Sequence, residues 1–251
     1  MRRVFATMGT VASIRLDTDE RAGVVAARAL DAVADEFAHL DGEFSRYRQD
    51  SPASMVADGR LPLTRASVEH RDVYAEAIGW RNGTGGAFEP HRADGSVDLT
   101  GIVKAIAIER AGEVLHAAGF GDWCVNVGGD ILVASTASGH TWEAGIADPG
   151  DRAALIGSVR LDAPRRAIAT SGTSERGDHV WRSDPTSAYR QVTVVADNIV
   201  TADVLSTAVL AGGPDTLWRV VDQWDVDVVT IATVDSAVRV TAARTGTTPL
   251  R

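Results

Sequence analysis

A carboxylate and a hydroxyl stand four residues apart in the segment TADVLSTAVLAGG (residues 201–213), whose apolar spacing predicts a helix. Residues four apart lie on one face of a helix, so the oxygens of Asp203 and Thr207 could contact one cation. Oxygen ligands of this kind suit Mg²⁺. An acidic residue favoured by the helix dipole, followed by an outward-facing threonine, explains the same pattern, so the residue types leave both interpretations open.

One of the six histidines, His179, stands in a polar segment, ATSGTSERGDHVW (residues 169–181). It follows the short run Thr170, Ser171 and Gly172. Imidazole has an ordinary pKa of about 6.5, so a neutral histidine could accept a proton from a hydroxyl. The sequence therefore indicates His179 as a candidate general base, although most histidines have structural roles.

The segment between residues 97 and 135 contains a predicted helix followed by a predicted hairpin. Apolar residues recur at three- and four-residue spacing over residues 102–118, Thr100 could cap the helix start, and Gly119 suits its end. Two β-rich runs follow, residues 123–127 and 131–135. Gly128, Gly129 and Asp130 separate them, which predicts a tight turn.

The composition indicates an ordinary folded protein. The formal charge is −9 and no stripe of Lys or Arg is visible, which argues against nucleic acid as a partner. Cys124 is the only cysteine, so an intrachain disulfide is excluded and a reducing compartment is indicated. Neither a run of signal-peptide length nor about 18 consecutive apolar residues occurs, so we expect a cytoplasmic protein without membrane insertion.

Hairpins alternate with helices along the chain. The patterns predict one strand with a kink at Gly9 over residues 5–16, and helices over residues 20–40 and 65–80. Further strands are predicted over residues 141–149, 156–161, 166–170 and 191–196 and near the C-terminus. We therefore predict an α/β (α+β) fold with a mostly antiparallel sheet flanked by helices, in a single domain over residues 1–251.

Several segments between Met8 and Gly213 resemble, in the same order, the motifs of the ApbE family, the FAD:protein FMN transferases. These segments are ATMGT, FSRYRQDS, GAFEP, DLTGIVK, NVGGD, WEAGIADP, ATSGTSERGDH and TADVLST. The resemblance covers about four fifths of the chain. It implies the ApbE fold and a site that binds FAD.

The resemblance also implies roles for individual residues. Tyr47 would stack on the isoalloxazine ring, and His179 and Asp98 would be catalytic. Mg²⁺ would be bound by Asp203, Thr207 and Gly101. The residues expected to contact FAD are Met8, Ser45, Tyr47, Lys104, Glu109, Gly128, Gly129, Thr170, Ser171 and Gly172.

The implied activity is the transfer of FMN from FAD to a Ser or Thr hydroxyl of an acceptor flavoprotein, with release of AMP. The segment after His179 departs from the family pattern, because Asp184 and Pro185 come two residues late. Two alternatives therefore stay open. One is a Mg²⁺-dependent FAD pyrophosphatase that gives FMN and AMP, and the other is a non-catalytic FAD-binding protein.

Overall fold

A computed structural model describes residues 1–18, 22–136, 141–151, 153–172, 189–234 and 237–244. The chain divides into two compact units, one formed by residues 1–79 and 89–140 and the other by residues 80–88 and 141–251. In each unit, antiparallel strands are covered by helix. The predicted fold class, a mostly antiparallel sheet flanked by helices, is confirmed, and a single domain over residues 1–251 stays a prediction.

Among its described residues, the first unit contains four strands and four α-helices. They are β1 (Arg2–Thr7), β2 (Thr10–Leu16), α1 (Gly23–Phe44), α2 (Pro52–Ala57), α3 (Val68–Gly83), α4 (Thr100–Ala117), β3 (Trp123–Val127) and β4 (Asp130–Ala134). The end of α3, from Trp80, belongs to the second unit. The strands lie in the order β1-β2-β3-β4, each antiparallel to the next.

The core of the first unit lies between helices α1 and α4 and the strands. Phe37 of α1 is fully buried and contacts Phe5 of β1 edge-on, with ring centroids 5.6 Å apart. A Cβ atom added at Gly112 of α4 would lie 2.6 Å from the ring of Trp123 in β3. Helix α4 therefore lies very close to the strand pair that follows it, and only glycine fits at this crossing.

The prediction of one strand over residues 5–16 is wrong. Strands β1 and β2 form a hairpin in which Thr7 pairs with Thr10, so Met8 and Gly9 are a two-residue turn. Both turn residues have positive φ, 47° at Met8 and 72° at Gly9. The sequence gives little sign of this turn, because a methionine rarely adopts a left-handed backbone.

The thiol of Cys124 belongs to the inner strand β3. Its side chain is mostly buried between neighbouring elements, and this burial raises the pKa of the thiol to about 11, against a small opposing effect of Arg15. A thiol with so high a pKa is protonated at neutral pH and is a poor nucleophile.

The described part of the second unit consists mainly of six strands and one long helix. They are β5 (Trp142–Ala147), β6 (Leu155–Leu161), β7 (Ala167–Gly172), β8 (Tyr189–Ala196), α5 (Ile199–Gln223), β9 (Asp227–Val234) and β10 (Ala237–Arg244). Strands β7-β8-β9-β10 are consecutive and antiparallel, β5 and β6 form a separate pair, and α5 packs on β7 and β8. Helix α5 is kinked at Gly213, which has a φ of 69° and precedes Pro214.

Within the described residues, none of the helices combines the length and the apolar character that crossing a membrane requires.

Candidate functional site

Two tight turns lie side by side at one end of the first unit's strands. The turn between β3 and β4 consists of Gly128 and Gly129, with φ of 62° and 100°. The backbone N–H of Gly128 donates to the carbonyl of Val11, 3.2 Å away, and a Cβ at Gly128 would lie 2.8 Å from Oγ1 of Thr10. The predicted hairpin is confirmed, although Asp130 begins β4 and does not belong to the turn. The glycines therefore bring this turn against the strand that follows Met8.

A buried ion pair joins α4 to the hairpin. Lys104 Nζ contacts Oδ2 of Asp130, and the two side chains are only 14% and 1% exposed. The pair fixes the start of α4 beside the Gly128–Gly129 turn. Two residues that the family resemblance singles out are therefore held together by a direct contact.

Asp98 lies immediately before α4 and is heavily hydrogen-bonded. Its Oδ1 accepts from the backbone N–H of Thr100 (3.1 Å) and from the Thr100 hydroxyl (2.6 Å), and its Oδ2 accepts from Nε of Arg92 (2.8 Å). Burial raises the pKa of Asp98, but the hydrogen bonds from Thr100 and Arg92 outweigh it and hold the pKa below its ordinary value. Asp98 is therefore a stable carboxylate.

The start of α4 differs from its prediction in one respect. Thr100 is the first helical residue, and its hydroxyl bonds to Asp98 and does not cap the helix. Gly101 follows in the first turn and is exposed. Its expected part in metal binding stays a prediction.

The loop after α1 carries the expected flavin-stacking residue. The backbone N–H of Tyr47 donates to Oγ of Ser45 (3.3 Å), and the Ser45 carbonyl accepts from the hydroxyls of Ser51 (2.5 Å) and Ser54 (3.2 Å). These bonds hold the loop against α2. Tyr47 itself is 83% exposed, so its ring faces are open to a planar ligand.

Glu109 lies five residues after Lys104 on α4. It lines a groove of about 440 Å³ between α3 and α4, together with Val73 and Ile106. A separation of five residues corresponds to roughly 140° around a helix, so the two side chains leave α4 on different faces. Glu109 therefore faces the groove between α3 and α4, and its role toward FAD stays a prediction.

In the second unit, hydroxyl groups join the end of β7 to the first turns of α5. The hydroxyl of Ser171 lies 2.8 Å from Oγ of Ser206 and 3.0 Å from Oγ1 of Thr207. The Ser206 hydroxyl donates to the backbone carbonyl of Asp203 (2.9 Å). Asp203 is 4% exposed and lies one turn before Thr207, so the structure brings Ser171, Asp203 and Thr207 together.

The neighbouring residues of β7 complete this part of the site. The hydroxyl of Thr170 lies 2.9 Å from that of Thr193 in β8, and Gly172 is the last residue of β7. His179 lies outside the described residues, as do Asp184 and Pro185. Among the residues that the structure describes, no group of three or more His, Cys, Asp or Glu side chains could hold a metal ion. A cation here would depend on hydroxyl and other oxygen ligands beside Asp203.

Ser206 is the residue of this cluster that the sequence did not indicate. It is fully buried, and a serine within an apolar helix carries no charge or spacing signal of its own. Only the position of β7 against α5 shows that its hydroxyl meets Ser171.

Solved structures of flavin transferases share this fold. The flavin transferase ApbE from Vibrio cholerae superposes with a TM-score of 0.75 at 20% sequence identity, covering 97% of this chain and 96% of that chain. The ApbE protein from Thermotoga maritima gives a TM-score of 0.77 at 19% identity, covering 98% and 97%. At these identities the likeness establishes the fold.

The sequence comparison establishes the family. The model of the ApbE family matches residues 91–230, more than half of the chain, and the protein therefore belongs to the ApbE family. A curated relative, the FAD:protein FMN transferase of Rhodobacter capsulatus, is 30% identical over 153 residues. The match covers 57% of this chain and 29% of that relative, so the chain spans less than a third of the relative's length.

Proposed function

We propose that this protein is a Mg²⁺-dependent FAD:protein FMN transferase that moves FMN from FAD to a Ser or Thr hydroxyl of an acceptor flavoprotein. The family and the name of the Rhodobacter capsulatus relative support this activity. The observation that carries the proposal is the 3.0 Å hydrogen bond between Ser171 and Thr207. It joins the Thr-Ser-Gly end of β7 to the helix turn that begins at Asp203, which supports a site with oxygen ligands there.

In the proposed reaction, the acceptor hydroxyl oxygen attacks the phosphorus of the FMN half of FAD. The bond from that phosphorus to the bridging oxygen breaks, and AMP leaves with this oxygen. The hydroxyl proton passes to a base, for which His179 is the first candidate. Asp98 is the second, but its lowered pKa makes its carboxylate a weaker base, which favours His179.

The residues of the second unit fit a hard cation. Asp203 and Thr207 offer only oxygen atoms, the ligand type that Mg²⁺ prefers. When bound, Mg²⁺ would neutralise the charge that develops on the phosphates during transfer. Asp203 and Thr207 would hold the ion, while Ser171 keeps the Thr207 hydroxyl in place through their hydrogen bond.

The residues of the first unit fit a flavin. We propose that the exposed ring of Tyr47 stacks on the isoalloxazine ring and that Met8 lies against it. Lys104 supplies a positive charge for an anionic dinucleotide, although it also contacts Asp130. The other proposed FAD contacts are Ser45, Glu109, Gly128, Gly129, Thr170, Ser171 and Gly172.

The test is an incubation of the purified protein with FAD and Mg²⁺, with and without an acceptor flavoprotein. We expect AMP, measured by chromatography, to appear in step with a fluorescent acceptor band that survives denaturing electrophoresis. Excess chelator and the variant Asp203→Asn should each abolish both signals. AMP without covalent flavin would show a FAD pyrophosphatase, and FAD binding without AMP would show a non-catalytic binding protein.

The variant His179→Ala tests the assignment of the base. Loss of a general base lowers a rate by roughly 10²–10⁴-fold, so FMN transfer should fall by this factor while FAD affinity stays the same. A loss of FAD affinity in proportion to activity would mean that the imidazole only contacts the ligand. Unchanged transfer would leave Asp98 as the candidate.

A further inference from the structure

The hydroxyl groups of Thr207, Ser171 and Ser206 form a chain that ends at a backbone carbonyl. Ser206 donates to the carbonyl oxygen of Asp203 (2.9 Å), which has no proton to give. Ser206 lies 2.8 Å from Ser171, and Ser171 lies 3.0 Å from Thr207. Each hydroxyl has one proton and two acceptor lone pairs, so the proton positions follow by counting.

The direction of the chain is fixed at its buried end. Only one arrangement of the three protons makes every one of these contacts a hydrogen bond: in it Ser206 donates to the Asp203 carbonyl and Ser171 donates to Ser206. The proton of Ser171 is then also used, so Thr207 must donate to Ser171. Thr207 therefore directs its proton toward β7, and the lone pairs of its oxygen stay available on the other side.

We propose that Ser206 is a positioning residue for the cation site, because it sets this direction and so makes Thr207 an oxygen donor to a metal ion. The inference rests on the proposed function in taking Asp203 and Thr207 as the cation ligands. A divalent cation binds a hydroxyl through a lone pair and is repelled by a proton aimed at it. Without Ser206, the proton of Ser171 is free to occupy a lone pair of Thr207, and the Thr207 proton loses its fixed acceptor.

The burial of Ser206 agrees with this role. Its side chain is fully buried, so water does not compete for its proton or its lone pairs. Ser171 and Thr207 are less buried, so the chain runs from the interior toward the accessible side of α5. Alanine fits the space of a buried serine and favours helix, so Ser206→Ala should fold.

The experiment measures the affinity of the full chain for Mn²⁺ alone, without FAD, from the electron paramagnetic resonance signal of the free ion. Mg²⁺ competition then gives its own affinity. Residues that orient a ligand typically contribute about 10–100-fold to metal affinity, so Ser206→Ala should weaken Mn²⁺ binding by this factor. Thr216→Ala removes another buried hydroxyl from α5 and should leave Mn²⁺ binding unchanged.

A double-mutant cycle separates positioning from general packing. Ser171→Ala should also weaken Mn²⁺ binding, and adding Ser206→Ala to it should cost nothing more, because Ser206 acts through Ser171. Unchanged affinity in Ser206→Ala, additive losses in the double variant, or no Mn²⁺ binding by the unmodified chain would each overturn the inference. A Ser206-dependent Mn²⁺ site in a chain that releases no AMP would instead refute the proposed activity and leave the inference intact.

Discussion

Lys104 of α4 contacts Asp130, the first residue of β4, in an ion pair from which water is largely excluded. The pair connects the helix to the hairpin at the point where Gly128 and Gly129 turn. A buried ion pair contributes little net stability by itself, but the loss of one partner leaves an uncompensated charge. Replacing either residue alone should therefore cost more stability than the pair contributes as a whole.

Asp130→Asn and Lys104→Met should each lower the free energy of unfolding by about 3 kcal/mol, since each leaves one polar or charged partner buried. The double variant Lys104→Met/Asp130→Leu should lose less than the sum of the two single variants. Urea unfolding measures all three. Asp58→Asn, which breaks an exposed pair with Arg60, is the control and should cost only about 0–1 kcal/mol. If the single variants lose no more free energy of unfolding than this control, the coupling is contradicted.

Met8→Gly should stabilise the fold while weakening FAD binding. A left-handed backbone costs a non-glycine residue about 1–2 kcal/mol, and Met8 has a φ of 47°. Glycine relieves this strain but removes the side chain that we place against the flavin. We therefore expect the free energy of unfolding, measured by thermal denaturation, to rise by about 1 kcal/mol. Fluorescence titration should show a lower affinity for FAD. A destabilised variant would show that packing of the Met8 side chain stabilises the fold by more than its backbone strain destabilises it.

Tyr47→Ala should weaken FAD binding by about 2–10-fold, the range that corresponds to an aromatic stacking contact of about 0.5–1.5 kcal/mol. Tyr47→Phe keeps the ring and should bind FAD as the unmodified chain does. Because the ring is 83% exposed, neither change should alter the melting temperature. Equal affinity in both variants would remove Tyr47 from the flavin site.

Asp98 should make the free energy of unfolding depend on pH. Its pKa is below the ordinary value in the folded chain, so it contributes stability above the unfolded pKa of about 3.9, and this is lost as the pH falls through the folded pKa. In urea unfolding between about pH 2 and pH 6, the unmodified chain should lose stability more steeply on acidification than Asp98→Asn. Arg92→Gln, which removes the two guanidinium donors to Oδ2 but keeps the Thr100 hydrogen bonds, should have an intermediate slope. Identical slopes in all three would show that the Asp98 hydrogen bonds do not stabilise its charge.

Local chemistry in the sequence predicted part of this structure. The apolar spacing of α4, the closing glycine Gly119 (φ 87°) and the glycines between β3 and β4 each have a direct local cause, and all were predicted. The hairpin at Met8 was missed because a methionine rarely adopts the left-handed backbone that this turn requires. Ser206 was missed because its partner, Ser171, is 35 residues away and belongs to another element.

Cys124 gives the first unit an internal reporter. Because burial raises its pKa to about 11, the thiol stays protonated at neutral pH, so alkylation in the closed state is slow. Once β3 separates from β2 and β4, the thiol regains an ordinary pKa and reacts far faster. The chain has no other cysteine, so the alkylation rate reports how often β3 opens at this one residue. The measurement needs no introduced label.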